Sequence, residues 1–494
     1  MDAFDVAVVG AGFGGLGAAL SLAERGKSVV LLEALTYPGG CAATFHKKGI
    51  AYEAGATLFS GLGPKQAFTR WIDRHSLDIQ VQWPDPVVTI RTPGHEVHVH
   101  ADRARFIDDL CARPGAPVAA LRRFFAIQQR VAEPLWALFD APEHLPPLCL
   151  AAVAHHARRL TAYAPALRFV GRPLTSVFAA AGLSAWEPFD AWATALCQIT
   201  VQCAPDVAEA PFALTSLDYP WRGTGHIRGG IGALAKALAS TVATLGGEVR
   251  YASRVAGLER QGADWVVVGP RGSVRARAVV ANVLPADLAK LLTRSVDDLG
   301  LSRLDTAVRS GWGAVMLYLV VRPPEGASPN ALHFDLVVDP SKPYTDGNHA
   351  FVSVAPWSPD VPEGRRTATI STHIDATALA ALAPEARADR VAAVQERLRN
   401  TVQQLLPEWS VGIDHAMTAS PRTFERFTKR SGGYVGGVPR RTGLRQYLDA
   451  WPHEPVPGVW LVGDTVFPGQ STVATAVGGL RVAEAIVRRG AGGP

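Results

Sequence analysis

The sequence predicts an α/β protein in which a Rossmann-type dinucleotide-binding domain is interrupted by a mixed α+β substrate domain. Three observations predict it. A glycine-rich βαβ unit opens the chain, a Gly-Gly return stands near its middle, and a strand–Gly-Asp–loop–helix unit closes it.

The opening unit begins with Asp5-Val6-Ala7-Val8-Val9, an apolar run of strand length. Gly10-Ala11-Gly12-Phe13-Gly14-Gly15 follows, then a helical stretch with Leu16, Ala19, Leu20 and Ala23 on one face. Gly26 stops the helix, and Ser28 to Leu32 forms a second buried strand ending at Glu33. Gly10 permits the tight turn, Gly12 lets backbone approach a pyrophosphate, and Gly15 lets helix and strand pack closely. The helix N-terminus offers unpaired N–H groups and a positive dipole end to phosphates. Glu33 is placed to accept hydrogen bonds from an adenosine ribose. Pro38-Gly39-Gly40 supplies a second close approach of backbone to the same pyrophosphate. Glu33 followed by Gly39-Gly40 resembles the extended fingerprint of FAD-containing oxidoreductases, so FAD is the expected cofactor.

Thr44 to Ala56 reads as a hairpin returning toward the first domain. Strand-like pieces, Val87 to Arg91 and Glu96 to His100, alternate with turns at Pro84-Asp85-Pro86 and Pro93-Gly94. His95, His98 and His100 invite a metal reading; His98 and His100 share a strand face, but no acid or third ligand is positioned with them, so a solvated strand face is expected. No metal site is predicted. From Ala104 to about Leu183 the pattern is helical. Within it a basic cluster (Arg158, Arg159, Arg168, Arg172) accompanies apolar residues. Buried helices with a solvated basic face, or an amphipathic surface dipping into a membrane interface, both fit this pattern. Asp190 and Asp206 bracket fifteen residues without formal charge, read as core helix rather than tunnel lining.

The middle return is Gly225-His226-Ile227-Arg228-Gly229-Gly230, followed by a helix from Ala233 to Leu245. Strands are expected at Glu248–Tyr251, Arg254–Leu258, Trp265–Val268 and Ala278–Asn282, with a second excursion over 302–408. The closing unit has the strand Gly458 to Val462, then Gly463-Asp464, a turn-rich loop, and a helix from about Val473 to Arg489. Its carboxylate beside a helix N-terminus suits a polyol such as a ribityl chain, and the dipole favours an anionic ring edge. The dinucleotide domain is thus assigned to 1–75, 225–300 and 409–494, and the substrate domain to 76–224 and 301–408.

Composition limits the alternatives. At 494 residues the chain exceeds one core, and 48% hydrophobic with 19% charged residues is globular. A net charge of +5 with scattered cations gives no ground for nucleic-acid binding. Five cysteines without CxxC spacing argue against a disulfide framework or a metal site. No apolar run reaches membrane-spanning length. With fold-bearing sequence directly after Met1, no signal peptide is expected and the location is read as cytoplasmic, with peripheral membrane contact open.

The opening motif, Arg228-Gly229-Gly230 and the Gly463-Asp464-x-x-x-Pro468-Gly469-Gln470 ending together resemble phytoene desaturases and carotenoid isomerases. Ser420 to Phe427, with Gly433-Tyr434 and Pro439-Arg440-Arg441, looks most like the isomerase and retinol-saturase branch. The resemblance implies an amine-oxidase-like two-domain fold and an FAD enzyme acting on a long apolar polyene. It assigns FAD binding to Gly10, Gly12, Gly14, Gly15, Glu33, Gly39, Gly40, Cys41 and Ala42. It extends that assignment to Val255 (adenine, through its backbone), Gly463, Asp464, Gln470, Ser471, Thr472 and Val473. Ser471 stands where relatives carry glycine. The expected chemistry is hydride transfer at flavin N5 with desaturation, or isomerisation through reduced FAD, and His226 is the candidate catalytic group. An amine oxidase acting on a polar amine and a non-enzymatic prenyl carrier on the same fold remain as alternatives. Oligomeric state is unassigned.

Overall fold

Strand Ala3–Val9 forms the centre of a parallel core, flanked by Val29–Leu32 and Val274–Ala281. These strands read as nearly unbroken Val, Ala and Leu because helices cover both faces. The computed structural model describes residues 1–491 except Ala56 and Ala450. The first sheet runs Gly257–Gln261, Asp264–Val268, Val274–Ala281, Ala3–Val9, Val29–Leu32, Glu248–Arg250. Val459–Leu461 joins it beside Val274–Ala281, so the first and last units of the chain share one sheet.

Their helices also meet. In helices Phe13–Ala23 and Thr472–Ala491, backbone packs on backbone: a Cβ on Gly17 would lie 2.2 Å from the Ala476 carbonyl oxygen. One on Gly479 would lie 2.0 Å from that of Gly14. Only glycine allows this approach, and it brings both helix N-termini to one edge of the sheet.

The second sheet runs Ile413–Ala419, Trp312–Val321, Arg366–Asp375, His349–Val354, Leu332–Val337, Val88–Arg91, Glu96–Val99. Alternation along Trp312–Val321 decides its two faces. Val315, Leu317, Leu319 and Val321 pack with Val394, Leu398 and Val402 of helix Pro384–Leu405. Ala314, Met316, Tyr318 and Val320 face the other way, Tyr318 toward Phe45 and Tyr52 of the early hairpin. A helical layer over Arg103–Ala181 covers the region expected to be helical, and Phe124 and Phe125 knit it to Phe189 and Trp192 of helix Glu187–Thr200.

Three expectations are corrected. The strand placed at Arg254–Leu258 begins only at Gly257 and runs to Gln261, and the preceding residues stay outside it. Ile413–Ala419 and Tyr434–Val435 pair with Trp312–Val321, so the segment after 409 contributes to both sheets. His100 is no solvated strand residue: it is buried, bonded to Asp85 at 3.2 Å and Asp109 at 2.7 Å. Both acids come from neighbouring elements, which spacing along one strand could not reveal. Among the described residues no group of three or more acids, histidines or cysteines could hold a metal, and no helix is long and apolar enough to cross a membrane.

Candidate flavin site and substrate cleft

A cleft of about 920 Å³ opens where the two glycine-crossed helices meet the sheet edge, and extends over the second sheet. Gly10 (φ +92°) turns the chain sharply, and Gly39 (φ +117°) donates its N–H to the Ala11 carbonyl at 2.8 Å. That bond locks the second glycine pair beside the first. The Glu33 carboxylate accepts N–H bonds from Ala11 at 2.7 Å and Leu35 at 2.8 Å. Burial raises its pKa, and those bonds pull the other way.

Of the residues assigned to cofactor binding, all except Gly15 line this cleft. Gly15 sits beneath, where a Cβ would come 2.0 Å from the Gly10 carbonyl oxygen, which is the helix–strand packing role read from its position. Cys41 lines the wall, its thiol pKa raised by burial. Val255 lies in the stretch before Gly257, and Ser471 caps the last helix, accepting the Ala474 N–H at 3.1 Å. That bond removes the alternative in which Asp464 merely caps the helix.

His226 is corrected. It is buried away from the cleft lining, its Nδ1 bonded to the Thr57 carbonyl at 3.1 Å, and burial pushes its pKa down to about 4. The strand pairing of His226–Ile227 with Val81–Gln82 turns the ring inward toward His333.

Several lining residues were not singled out from sequence. Asn282, at the end of Val274–Ala281, fills the space over the glycine turn, so that a Cβ on Gly12 would lie 2.6 Å from its Nδ2. Arg430 donates to Asp464 Oδ1 at 3.0 Å, and both side chains are less than a fifth exposed. Burial disfavours the guanidinium charge, but Asp464, Cys41 and Asp287 together outweigh it and the net pKa is raised. On the second sheet, His349 Nε2 meets Asp335 Oδ1 at 2.7 Å, and Gln198 Nε2 meets His373 Nδ1 at 3.1 Å. All but Gln198 line the cleft. Alternation along these strands could have placed them on one face, but the sheet order was not readable.

The site fits a flavin dinucleotide. Thr57 Oγ1, Arg430 Nη2, Thr472 Oγ1 and both amide atoms of Gln470 are buried in the cleft wall without protein partners among the described residues. Buried polar atoms demand partners, and an elongated polar ligand supplies them. Two helix N-termini and a glycine cradle on a parallel sheet define a dinucleotide-binding flavoprotein.

The chain belongs to the flavin containing amine oxidoreductases, whose sequence pattern matches residues 13–487. FAD is its cofactor. It is 23% identical over 531 residues to chloroplastic prolycopene isomerase of Daucus carota, covering 98% of this chain and 80% of that protein. It is 28% identical over 278 residues to phytoene dehydrogenase of Streptomyces griseus, covering 52% and 49%. A 54-residue stretch is 50% identical to Homo sapiens all-trans-retinol 13,14-reductase, 11% of this chain and 9% of that one. A putrescine oxidase structure superposes with TM-score 0.64 at 15% identity, covering 99% of this chain and 100% of its own, and shares the fold.

Proposed function

We propose that this FAD-dependent oxidoreductase acts on a hydrophobic polyene or isoprenoid, by desaturation or by cis–trans isomerisation through reduced FAD. The observation that carries this reading is the continuation of the cofactor cleft into an apolar channel. Leu135, Trp136, Leu138 and Phe139 of helix Val118–Asp140 form one wall, with Leu196 and Ile199 of Glu187–Thr200 beside them. The names of the sequence relatives point the same way.

When bound, FAD supplies hydride acceptance or donation at its ring. The protein's own residues position and dry the substrate. The channel walls hold a long apolar chain in register over the second sheet and exclude water. Asp464 and Arg430 anchor the cofactor end, and Gln470 and Thr472 offer hydrogen bonds where the last helix begins. A polar amine would be favoured by a lysine on the sheet floor. The floor positions beside the cofactor end are instead Ala314, Met316, Ser371 and His373. The intact glycine cradle stands against a carrier without flavin.

Anaerobic addition of polyene extracts to the yellow protein is expected to bleach the flavin or to change the polyene spectrum. Bleaching by an amine and by no lipid overturns the reading.

Exposed Leu150, Val153, Leu160 and Leu167, flanked by exposed Arg158, Arg159, Arg168 and Arg172, support peripheral docking on anionic lipid close to the channel wall. Co-sedimentation with anionic vesicles, lost on Leu150→Asp with Leu160→Asp, is the expected result. Equal recovery of wild type and variant with the vesicles counts against it.

A further inference from the structure

Three arginines are buried among the described residues: Arg366, Arg440 and Arg481. Two of them are satisfied by the protein. Arg366 gives its donors to the carbonyls of Ser328, Asn330, Val354 and Ala355. Arg481 bonds Glu484 and the carbonyls of Leu145, Pro146 and Pro147. Neither lines the cleft. Arg440 does line it, and its side chain makes a single hydrogen bond, from Nη2 to the Pro468 carbonyl at 3.2 Å. Its Nε and Nη1 have no partner, and no carboxylate pairs with it, among the described residues. Arg440 belongs to Pro439-Arg440-Arg441, a segment the sequence singled out without giving it a role.

The acids around Arg440 are engaged elsewhere. Glu209, whose backbone N–H donates to the Arg440 carbonyl, accepts from Gly171, Gly443 and the Tyr447 hydroxyl. Asp449 is held by Arg303. Burial pushes the Arg440 pKa down to about 10 from the usual 12.5, with Asp449 foremost among the groups pulling the other way. The guanidinium therefore stays charged at neutral pH. A buried cation without a counter-ion is costly, and an anion entering the cleft relieves that cost.

The guanidinium is fixed in place before any ligand arrives. It lies over the Phe212 ring at 5.2 Å, and Phe212 stacks in turn on Tyr447 at 5.3 Å. It also rests against Gly469 (φ +106°), where a Cβ would come 2.0 Å from Nη2. The Arg440 backbone N–H donates to the Val201 carbonyl at 2.9 Å, just past the end of helix Glu187–Thr200. Leu196 and Ile199 of that helix belong to the apolar channel wall. Arg440 thus stands where the channel meets the loop leading into the last helix. None of these contacts is to the Gly10–Gly15 turn assigned to the pyrophosphate.

We propose that Arg440 is the binding group for a carboxylate carried by the substrate. The substrate class is then a long apolar isoprenoid or polyene acid, its acid end lying where the channel meets the cofactor arm. This rests on the polyene reading above and narrows it. The carboxylate accepts from the open N–H donors of the guanidinium, and bonds between two ionised partners are the strong ones. The apolar chain runs along Leu196 and Ile199. Arg440 selects and orients the substrate and takes no part in bond changes.

The test is equilibrium dialysis of the FAD-loaded protein against three probes. These are geranylgeranoic acid, its methyl ester and geranylgeraniol. Wild type is expected to bind the acid about 10- to 100-fold more tightly than the ester or the alcohol. Arg440→Leu is expected to bring that ratio near one by weakening the acid alone. Arg440→Lys, which keeps the charge but not the planar donors, retains part of it. Flavin content, melting temperature and flavin midpoint potential are recorded for each variant. The wild-type ratio needs no variant to fold, and Arg440→Lys carries the comparison where Arg440→Leu loses its flavin. Equal affinity of wild type for acid and ester overturns the carboxylate site and leaves the polyene reading standing. Equal affinity with a lowered flavin potential in the variants overturns it in favour of the cofactor's own ring as the anion. An acid preference that survives Arg440→Leu overturns the assignment to Arg440. Binding of none of the three overturns the polyene reading, and the carboxylate site with it.

Discussion

The cofactor arm and the substrate floor are built on opposite logics. In the arm, the decisive residues are glycines, and what matters is backbone reaching places a side chain would block. Gly10, Gly12, Gly14 and Gly463 surround the Asn282 side chain, leaving no room for a Cβ at Gly12 or Gly14 without displacement. On the floor the backbone is a regular sheet, and what matters is which side chain stands at each cleft-facing position. The arm is therefore intolerant of added atoms. The floor tolerates substitution, and changing it alters selectivity before it alters folding.

That contrast is sharpest at the helix crossing. Gly17→Val would drive a Cβ into the Ala476 carbonyl, 2.2 Å away, where both partners are helix backbone and neither can yield. The expected loss is roughly 4 kcal/mol or more, among the largest single-site effects. It should be seen as absence of bound flavin and a collapsed thermal transition. A Gly17→Val protein that stays yellow and melts like wild type would break the comparison.

Asp464→Ala comes next. It strands the Arg430 guanidinium in a largely buried setting, and the expected cost is about 3 kcal/mol, with weakened FAD affinity in titration of the apoprotein. Adding Arg430→Leu is expected to recover stability in urea unfolding without recovering FAD affinity, because the charge is gone but so is the anchor. Recovery of both would mean that Asp464 serves only to neutralise Arg430.

The same contrast explains what the sequence made legible. The arm is encoded locally: turn, helix start and acid follow one another within about thirty residues, and each has a backbone reason to be where it is. The helix after Gly463-Asp464 could be read for the same reason. The floor is encoded by sheet order. Asp335 and His349 meet because two antiparallel strands pair in one register, and nothing in Asp335 or His349 alone announces the partner. His226 misled because its nearness to Gly229-Gly230 suggested nearness to the ring, whereas the short pairing with Val81–Gln82 turns it into the core. Arg430 was hidden in a stretch whose left-handed glycines, Gly432 and Gly433, fold it back onto the last loop.

Glu53 stands where the two regions join, and its effect shows only as a dependence on pH. Its carboxylate receives the N–H of Ile231 at 3.1 Å, at the start of helix Ile231–Thr244, and its carbonyl accepts from Thr369 of the second sheet at 3.5 Å. Burial pushes its pKa up to about 8 from the usual 4.5, against the Ile231 and Thr44 hydrogen bonds. The folded protein thus keeps a proton that the unfolded chain has released between those two values. The stabilisation is fully present below about pH 4.5 and is lost as pH rises through about 8. Glu53→Gln keeps an acceptor for Ile231 and removes the titration. Wild type should lose stability relative to this variant as pH rises between the two limits, measured as the difference in urea midpoints across pH. Parallel pH profiles would show that the seam between arm and floor is not held by a proton, and would leave the neutral-carboxyl account of Glu53 without support.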